Sequence, residues 1–357
     1  MTRSVLIVAG GTGGHVYPGL AVAEALRARD VELHWMGTSY GIEARVVPRA
    51  GLPLLTIPVS GLRRSGWWRW LAAPWRVTIA VLCAVRAVRR IRPRVVLGMG
   101  GFVSGPGGIA AWLCRRPLVI HEQNAVPGLS NRILSHLADR VLQAFPDSFA
   151  PRIGAITTGN PVRADIAAGE RAGASGESNL HVLVFGGSRG ARALNELVPR
   201  ALAASGVAGI KVRHQCGADA VGPTQARYAD GSNFAAVSVL PYIDDMATAY
   251  GWADLVIARA GASSIAEIAA CGVASILVPY PYAVDDHQTA NARFLAADGA
   301  ALLLPERDLT SAALGAAVAH LLSDHAARRT MGARARARAH PHATAAVAAH
   351  CLEFLNG

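Results

Sequence analysis

Three short, near-continuous apolar runs each break off at a glycine-rich turn, and that repeated join limits the fold more than any other feature of the chain. Residues 4–9 end at Gly10-Gly-Thr-Gly-Gly-His15, residues 95–97 at Gly98-Met-Gly-Gly-Phe-Val-Ser-Gly-Pro106, and residues 182–185 at Gly186-Gly-Ser-Arg-Gly-Ala191. A strand that is apolar at every position, rather than at alternate ones, is covered on both faces and belongs to a parallel sheet. Further short strand-like runs rich in β-branched residues occupy 31–35 and 118–120, then 210–213, 255–257 and 275–278. Helix-length segments such as 20–29 and 191–205 separate them. The expectation is an α/β chain in which the doubly wound pattern is written twice. A length of 357 residues exceeds what one core ordinarily organises, which agrees with two domains. The division falls near Thr157-Thr-Gly-Asn-Pro161, and a low-complexity surface loop is expected over residues 167–179. The Arg/Ala-rich tail, 328–355, reads as one or two helices, and no short repeat suggests a solenoid.

Glycine lets backbone approach a ligand closely, and a helix N-terminus offers N–H groups and partial positive charge. One such loop can be geometry alone; three at strand ends favour diphosphate binding. A dinucleotide fingerprint fits poorly, because Val16 stands where the last glycine of G-x-G-x-x-G belongs and no acid closes the second strand. A Walker A loop is excluded, since Lys211 is the sole lysine and follows no such pattern.

Charge and thiols narrow the class further. Formal net charge is +11, which calls for an anionic partner: nucleic acid, a phosphorylated substrate or a membrane surface. Residues 62–94 hold nine arginines and no acid, with Trp67, Trp68, Trp70 and Trp75 among Arg69, Arg76 and the others. Tryptophan favours the headgroup interface, and arginine near anionic lipid is worth roughly 1 kcal/mol per charge. Peripheral binding to an anionic membrane is therefore expected, against the alternative of a packed helix with a solvated basic face. Nucleic acid is disfavoured because no recognised binding motif accompanies the patch. The longest apolar stretch, 71–85, is broken by Pro74 and Arg76 and is shorter than the roughly 20 residues that span a bilayer. No secretory signal is legible, so a soluble or peripheral protein is expected. Cys83, Cys114, Cys216, Cys271 and Cys351 form no CxxC pair and read as free thiols in a reducing cytoplasm, with no zinc site.

Residues 10–20, Gly-Gly-Thr-Gly-Gly-His-Val-Tyr-Pro-Gly-Leu, closely resemble the first loop of the MurG family, the UDP-N-acetylglucosamine:undecaprenyl-diphospho-muramoylpentapeptide N-acetylglucosaminyltransferases. The resemblance runs on, in family order, through Gly100-Gly-Phe-Val-Ser-Gly-Pro106, His121-Glu-Gln-Asn124, Gly159-Asn-Pro-Val-Arg163, Gly186-Gly-Ser-Arg-Gly-Ala-Arg192, Arg259-Ala-Gly-Ala-Ser263 with Glu267, and Asp285-Asp-His-Gln288 with Asn291. It implies a GT-B fold: two Rossmann-like doubly wound parallel-sheet domains facing a cleft, with the last helix returning to the first domain. The implied division is 1–160 plus about 338–357 for the acceptor and membrane, and 161–337 for the donor. The implied reaction is an inverting β-1,4 transfer of N-acetylglucosamine to the lipid-linked muramoylpentapeptide at the cytoplasmic face of the bacterial inner membrane. Other cell-wall synthesis enzymes are the further partners.

The implied roles suit the residue types. Thr12, Gly13 and Gly14 join the UDP-N-acetylglucosamine site with Ser188, Gly190 and Ala191, which hold the diphosphate at a helix start. Arg163 neutralises charge on the leaving UDP, since a guanidinium pairs bidentately with phosphate and stays charged. Ala262 and Ser263 open the helix that carries Glu267, whose carboxylate suits the two ribose hydroxyls. Backbone around Ile243 reads the uracil; Asn124, Gln288 and Asn291 read sugar hydroxyls and the acetamido group, Asn291 equally well serving as a structural amide. Gly100, Gly101, Phe102 and Ser104 are assigned to the acceptor. Three positions depart from the family: Arg189 for a common glutamine, Phe102 for a frequent tyrosine, and His287 for a glutamine of some members. His15 and Glu122 are the candidates for the base that deprotonates the acceptor hydroxyl, and the sequence leaves the choice open. His15 serves equally as an acceptor-diphosphate ligand. The adjacent pairs Asp244-Asp245 and Asp285-Asp286 make no D-x-D motif, so no metal and no cofactor are expected. The rivals are another sugar-nucleotide enzyme of this fold, such as a 2-epimerase or a lipid-sugar disaccharide synthase, and a non-catalytic nucleotide-sugar sensor.

Overall fold

The computed structural model describes residues 3–59, 73–167, 180–187, 190–229, 231 and 233–356. Trp67, Trp68, Arg69 and Trp70 of the basic segment, Ser188 and Arg189 of the third glycine turn, and nearly all of the loop expected over 167–179 lie outside the described residues.

Among the described residues the strands form two sheets, and each pairing is parallel. The first sheet comprises β1 (Ser4–Val8), β2 (Glu32–Gly37), β3 (Leu54–Thr56), β4 (Val95–Gly98), β5 (Leu118–Glu122), β6 (Arg140–Gln143) and β7 (Ile156–Thr157), in the order β3-β2-β1-β4-β5-β6-β7. The second comprises β8 (Leu180–Phe185), β9 (Ile210–Gln215), β10 (Phe234–Leu240), β11 (Leu255–Ala258), β12 (Ala274–Leu277) and β13 (Leu302–Leu303), in the order β10-β9-β8-β11-β12-β13. Both are doubly wound: strand order reverses once, between β1 and β4 and between β8 and β11. Ligands of such sheets bind outside the carboxyl ends of the strands at that reversal. The three glycine turns follow β1, β4 and β8, each a strand at a reversal.

All eight strands read from the sequence are present. Those it missed are β3, β6, β7, β10 and β13. Four are sheet edges, and they are short or partly exposed, so their composition lacks the continuous apolar run that marks the centre. At the centre every side chain of β1 is buried, and so are those of β4 and β11. Each fully buried Val, Leu or Ile there contributes roughly 1.5–3 kcal/mol. Trp35 on β2 is fully enclosed, and its indole N–H is satisfied by the Ala9 carbonyl at 3.0 Å.

The chain divides into two compact units, Met1–Arg163 with His340–Gly357, and Ala164–Ala339. The tail makes two helices. His325–Ala337 starts on Asp324, which accepts from the Ala327 N–H at 2.8 Å, and belongs to the second unit. Pro341 follows its end, and Ala343–Asn356 begins anew. Val347, Ala348, Cys351 and Leu355 of that last helix pack in the same core as β1 and the helix Gly13–Arg27. Its buried stripe therefore ties the C-terminus to the first unit.

Candidate active site

In the first unit the turn after β1 enters the helix Gly13–Arg27, with Thr12 as an extended, exposed N-cap and Gly13 and Gly14 in the first turn. A buried carboxylate that sequence reasoning missed organises this turn. Glu43 is fully enclosed; its Oε2 accepts from the Gly11 N–H at 3.0 Å, and its Oε1 accepts from the Thr38 N–H at 3.0 Å and the Thr38 hydroxyl at 2.6 Å. The signal was present. Glu43 precedes Val47 by four residues, so it shares the apolar face of the helix Glu43–Arg49, where an acid needs a buried partner.

The turn after β4 lies against the first one. Gly100 has φ +91°, and a Cβ there would stand 2.6 Å from His15 Nδ1 and 3.1 Å from Gln123 Oε1. Phe102 projects half exposed, with its ring near Gly11. Ser104 is fully buried instead, its hydroxyl 2.7 Å from the Gly100 carbonyl and 3.0 Å from the Val8 carbonyl. It braces the Gly100–Gly101 turn from within.

At the end of β5 the two base candidates separate. Glu122 is buried; Oε1 accepts from the Asn124 backbone N–H at 2.9 Å and side chain at 3.2 Å, and Oε2 from the Gly128 N–H at 3.1 Å and Asn131 Nδ2 at 2.8 Å. Both oxygens are committed to folding the 122–131 loop. His15 is only partly buried, and its Nδ1 lies 2.9 Å from Gln123 Oε1. Behind Gln123 sits His121, 0% exposed, with Nδ1 3.0 Å from Gln123 Nε2 and Nε2 3.0 Å from the Gly159 carbonyl. Burial outweighs that hydrogen bond and pulls the His121 pKa from 6.5 down to about 4, so the ring is neutral at pH 7. Arg163, the last residue of this part of the unit, holds its guanidinium 5.5 Å from the centre of the Tyr17 ring.

In the second unit the turn after β8 enters the helix Arg192–Ala204, with Ala191 as an extended N-cap. Gly190 has φ +71°, and a Cβ there would overlap the Cys216 carbonyl at the end of β9. That carbonyl accepts from Asn195 Nδ2 at 2.9 Å; Asn195 Oδ1 lies 3.1 Å from His214 Nε2, and His214 Nδ1 lies 2.9 Å from the Tyr228 hydroxyl. Desolvation lowers the His214 pKa to about 3. Gln215 joins two stretches the sequence assigned separately: Nε2 donates to the Gly187 carbonyl at 2.8 Å, and Oε1 accepts from the Ile243 N–H at 3.1 Å.

The turn after β11 enters the helix Ala262–Cys271, on which Ala262 is buried, Ser263 and Glu267 are partly exposed, and Glu267 Oε2 accepts from the Tyr250 hydroxyl at 3.0 Å. Tyr250 is fully buried and meets Phe185 edge to face at 5.9 Å. Arg259 is buried in an ion pair with Glu306 and donates to the carbonyls of Val278 and Pro279, each at 3.1 Å. Gln288 Oε1 accepts from the Tyr280 N–H at 2.9 Å. Asn291 is fully buried and donates to the Ala260 carbonyl at 3.1 Å, so it secures the turn after β11. Ser104, Glu122 and Asn291, whose sequence-based roles included a structural one for Asn291 and an orienting one for Glu122, each hydrogen-bond within or beside the turns that carry the site. Sequence reasoning missed Glu43, Gln215 and Tyr250, because a polar side chain in an apolar context announces a partner without naming it.

Two doubly wound parallel sheets, each with glycine turns at its reversal, define the fold of GT-B sugar-nucleotide enzymes. Residues 5–143 match the glycosyltransferase family 28 N-terminal domain, and residues 181–347 match the glycosyltransferase family 28 C-terminal domain. Two relatives carry the name UDP-N-acetylglucosamine–N-acetylmuramyl-(pentapeptide) pyrophosphoryl-undecaprenol N-acetylglucosamine transferase. That of Nitrosococcus oceani is 50% identical over 100% of both chains, and that of Alkalilimnicola ehrlichii 52% identical over 99% of both. The crystal structure of Acinetobacter baumannii MurG superposes with a TM-score of 0.81 at 39% identity, covering 98% of this chain and 99% of that one. The chain belongs to glycosyltransferase family 28, as a member of its MurG family.

Proposed function

We propose that the chain transfers N-acetylglucosamine from UDP-N-acetylglucosamine to the 4-hydroxyl of the muramic acid sugar in undecaprenyl-diphospho-muramoylpentapeptide, with inversion. The observation that carries this reading is the donor cradle of the second unit. Gln215 binds the glycine turn to the Ile243 segment, and Tyr250 holds one oxygen of Glu267 at the neighbouring turn. Gly190 and Ala191 then meet the diphosphate at a helix N-terminus. The Ile243 N–H is already engaged, so its carbonyl is the group left to read uracil. Gln288 has committed its carbonyl oxygen to Tyr280 and offers its NH2 to the sugar.

His15 is the base of this mechanism, and Glu122 shapes the loop beside it. The acceptor O–H breaks as its proton passes to His15, the oxygen attacks the anomeric carbon from the face opposite the leaving group, and the C–O bond to diphosphate breaks with its electron pair leaving on UDP. Arg163 and the helix N-terminus stabilise that growing negative charge. Incubation with UDP-N-acetylglucosamine and a soluble-tailed lipid acceptor should release UDP only when the acceptor is present. Epimerised donor formed without acceptor, or binding of donor with no release, would replace this reading by one of its rivals.

The acceptor is lipid-linked, and the first unit offers a surface suited to its membrane. On the helix Ala73–Ile91, Trp75 is 70% and Leu82 62% exposed; Trp112 is 52% exposed on the helix Ser104–Leu113, which packs against it. Arg76, Arg86, Arg89 and Arg90 are exposed on the same helix. Exposed tryptophans among arginines suit an anionic headgroup layer. Among the described residues no helix is long and apolar enough to cross a membrane. This surface supports peripheral attachment to an anionic membrane; the cytoplasmic face of the inner membrane and other cell-wall synthesis enzymes as neighbours are inferred from the family resemblance alone.

A further inference from the structure

The polar chain behind His15 has a direction, and the direction decides which ring nitrogen is basic. It begins at the Gly159 carbonyl, which only accepts, so the His121 nitrogen facing it at 3.0 Å, Nε2, carries hydrogen. His121 is fully buried and neutral, so that is its one ring proton and Nδ1 holds a lone pair. Gln123 must then present its NH2 to His121: Nε2 lies 3.0 Å from His121 Nδ1 and 3.2 Å from the His121 carbonyl, two acceptors. The amide cannot turn over without facing oxygen to both. Its Oε1 is left to His15 Nδ1 at 2.9 Å. An amide oxygen only accepts, so neutral His15 carries its proton on Nδ1 and its lone pair on Nε2. Gly100 closes over the Nδ1 side, where a Cβ would collide with that nitrogen.

We propose that Gln123 and His121 are positioning residues that lock His15 in the Nδ1–H tautomer, leaving Nε2 as its proton acceptor. This deepens the assignment of His15 as the base and rests on it. The relay contains no acid. Its neighbour Glu122 spends both oxygens on Asn124, Gly128 and Asn131. When Nε2 takes the acceptor proton, the imidazolium is steadied at Nδ1 by an amide dipole rather than by a carboxylate.

The test reads the tautomer directly. Ring-15N-labelled full-length protein, assigned with His15→Ala, should show His15 Nδ1 protonated and Nε2 bare. Gln123→Met removes both polar ends at similar size; it should shift His15 toward Nε2–H and lower kcat about 10- to 100-fold with the KM for UDP-N-acetylglucosamine nearly unchanged. Gln123→Glu, with a proton on the oxygen that faces His121 Nδ1, keeps an acceptor for His15 Nδ1–H; at a pH low enough to hold that proton it should recover the tautomer and part of kcat. Wild-type protein with hydrogen on Nε2 overturns the proposal, and needs no variant to fold. So does a Gln123→Met protein that loses turnover but keeps the wild-type tautomer, since that is a packing effect. If His15→Ala instead retains full turnover at saturating acceptor, the base assignment fails while the spectrum still reports whether the lock exists.

Discussion

Glu267 and Tyr250 illustrate how much of this site consists of one side chain holding another. A carboxylate that accepts from a buried hydroxyl loses rotamer freedom before the ligand arrives, and so binds at lower entropic cost. Removing the acid should therefore cost more than removing its holder. Glu267→Ala should raise the KM for UDP-N-acetylglucosamine by about 100-fold, and Tyr250→Phe by about 5- to 20-fold, in line with roughly 1–3 kcal/mol for a hydrogen bond to a charged group. Steady-state kinetics with UDP and 2′-deoxy-UDP as competing inhibitors checks it, because both variants should discriminate less between the two. Glu43 belongs to the same scale with a different readout. Glu43→Ala leaves the buried Thr38 donors and the part-buried Gly11 N–H without their acceptor, and a loss of about 1–3 kcal/mol should appear in urea denaturation. Neither Glu43 nor Tyr250 carries a sequence signal of its partner. Hydrogen bonding is a matter of distance in space, and Glu43 to Gly11 spans 32 positions of chain.

At the scale of elements, the glycine turns were legible because their requirement is local. A positive φ beside a close carbonyl, as at Gly190, is written into one residue. Gly190→Ala should strain the turn and push it from Cys216, weakening UDP binding at least tenfold by calorimetry. The helix Ala73–Ile91 was legible in composition but not in orientation. Its buried positions are Ala80, Ala84 and Val88, every fourth residue, which leaves Trp75 and Leu82 outward. Trp112 is exposed on a different helix, which packs against this one. Co-sedimentation with anionic vesicles should fall severalfold for Trp75→Ser with Trp112→Ser, while turnover of a soluble acceptor stays unchanged. Equal vesicle binding by the double variant would count against a membrane role for this face.

For the whole molecule, pH acts through two buried histidines in different units. An ordinary histidine titrates near 6.5, whereas burial sets His121 to about 4 and His214 to about 3. The unfolded chain therefore binds protons first. Stability is fully present above about 6.5 and declines as pH falls toward about 4 and 3, by up to roughly 1.4 kcal/mol per unit for each group. Melting temperature should drop between pH 7 and pH 5, and His214→Gln should flatten that drop.

The sequence by itself determined the doubly wound pattern in each half, the central strands and the turns that cap them. Continuous apolar runs, glycine and helical period are properties of neighbours along the chain. It also carried the family, because the motif blocks stand in order over nearly its whole length. The tertiary structure alone decided which polar residues face a ligand and which brace the backbone. His121, Glu122, Gln123 and Asn124 are consecutive, and the pleat of β5 and the loop beyond it direct them to different partners. One motif thus supplies a neutral relay to His15 and a carboxylate buried in its own loop. Burial and distance make that division, and neither is visible in the order of residues.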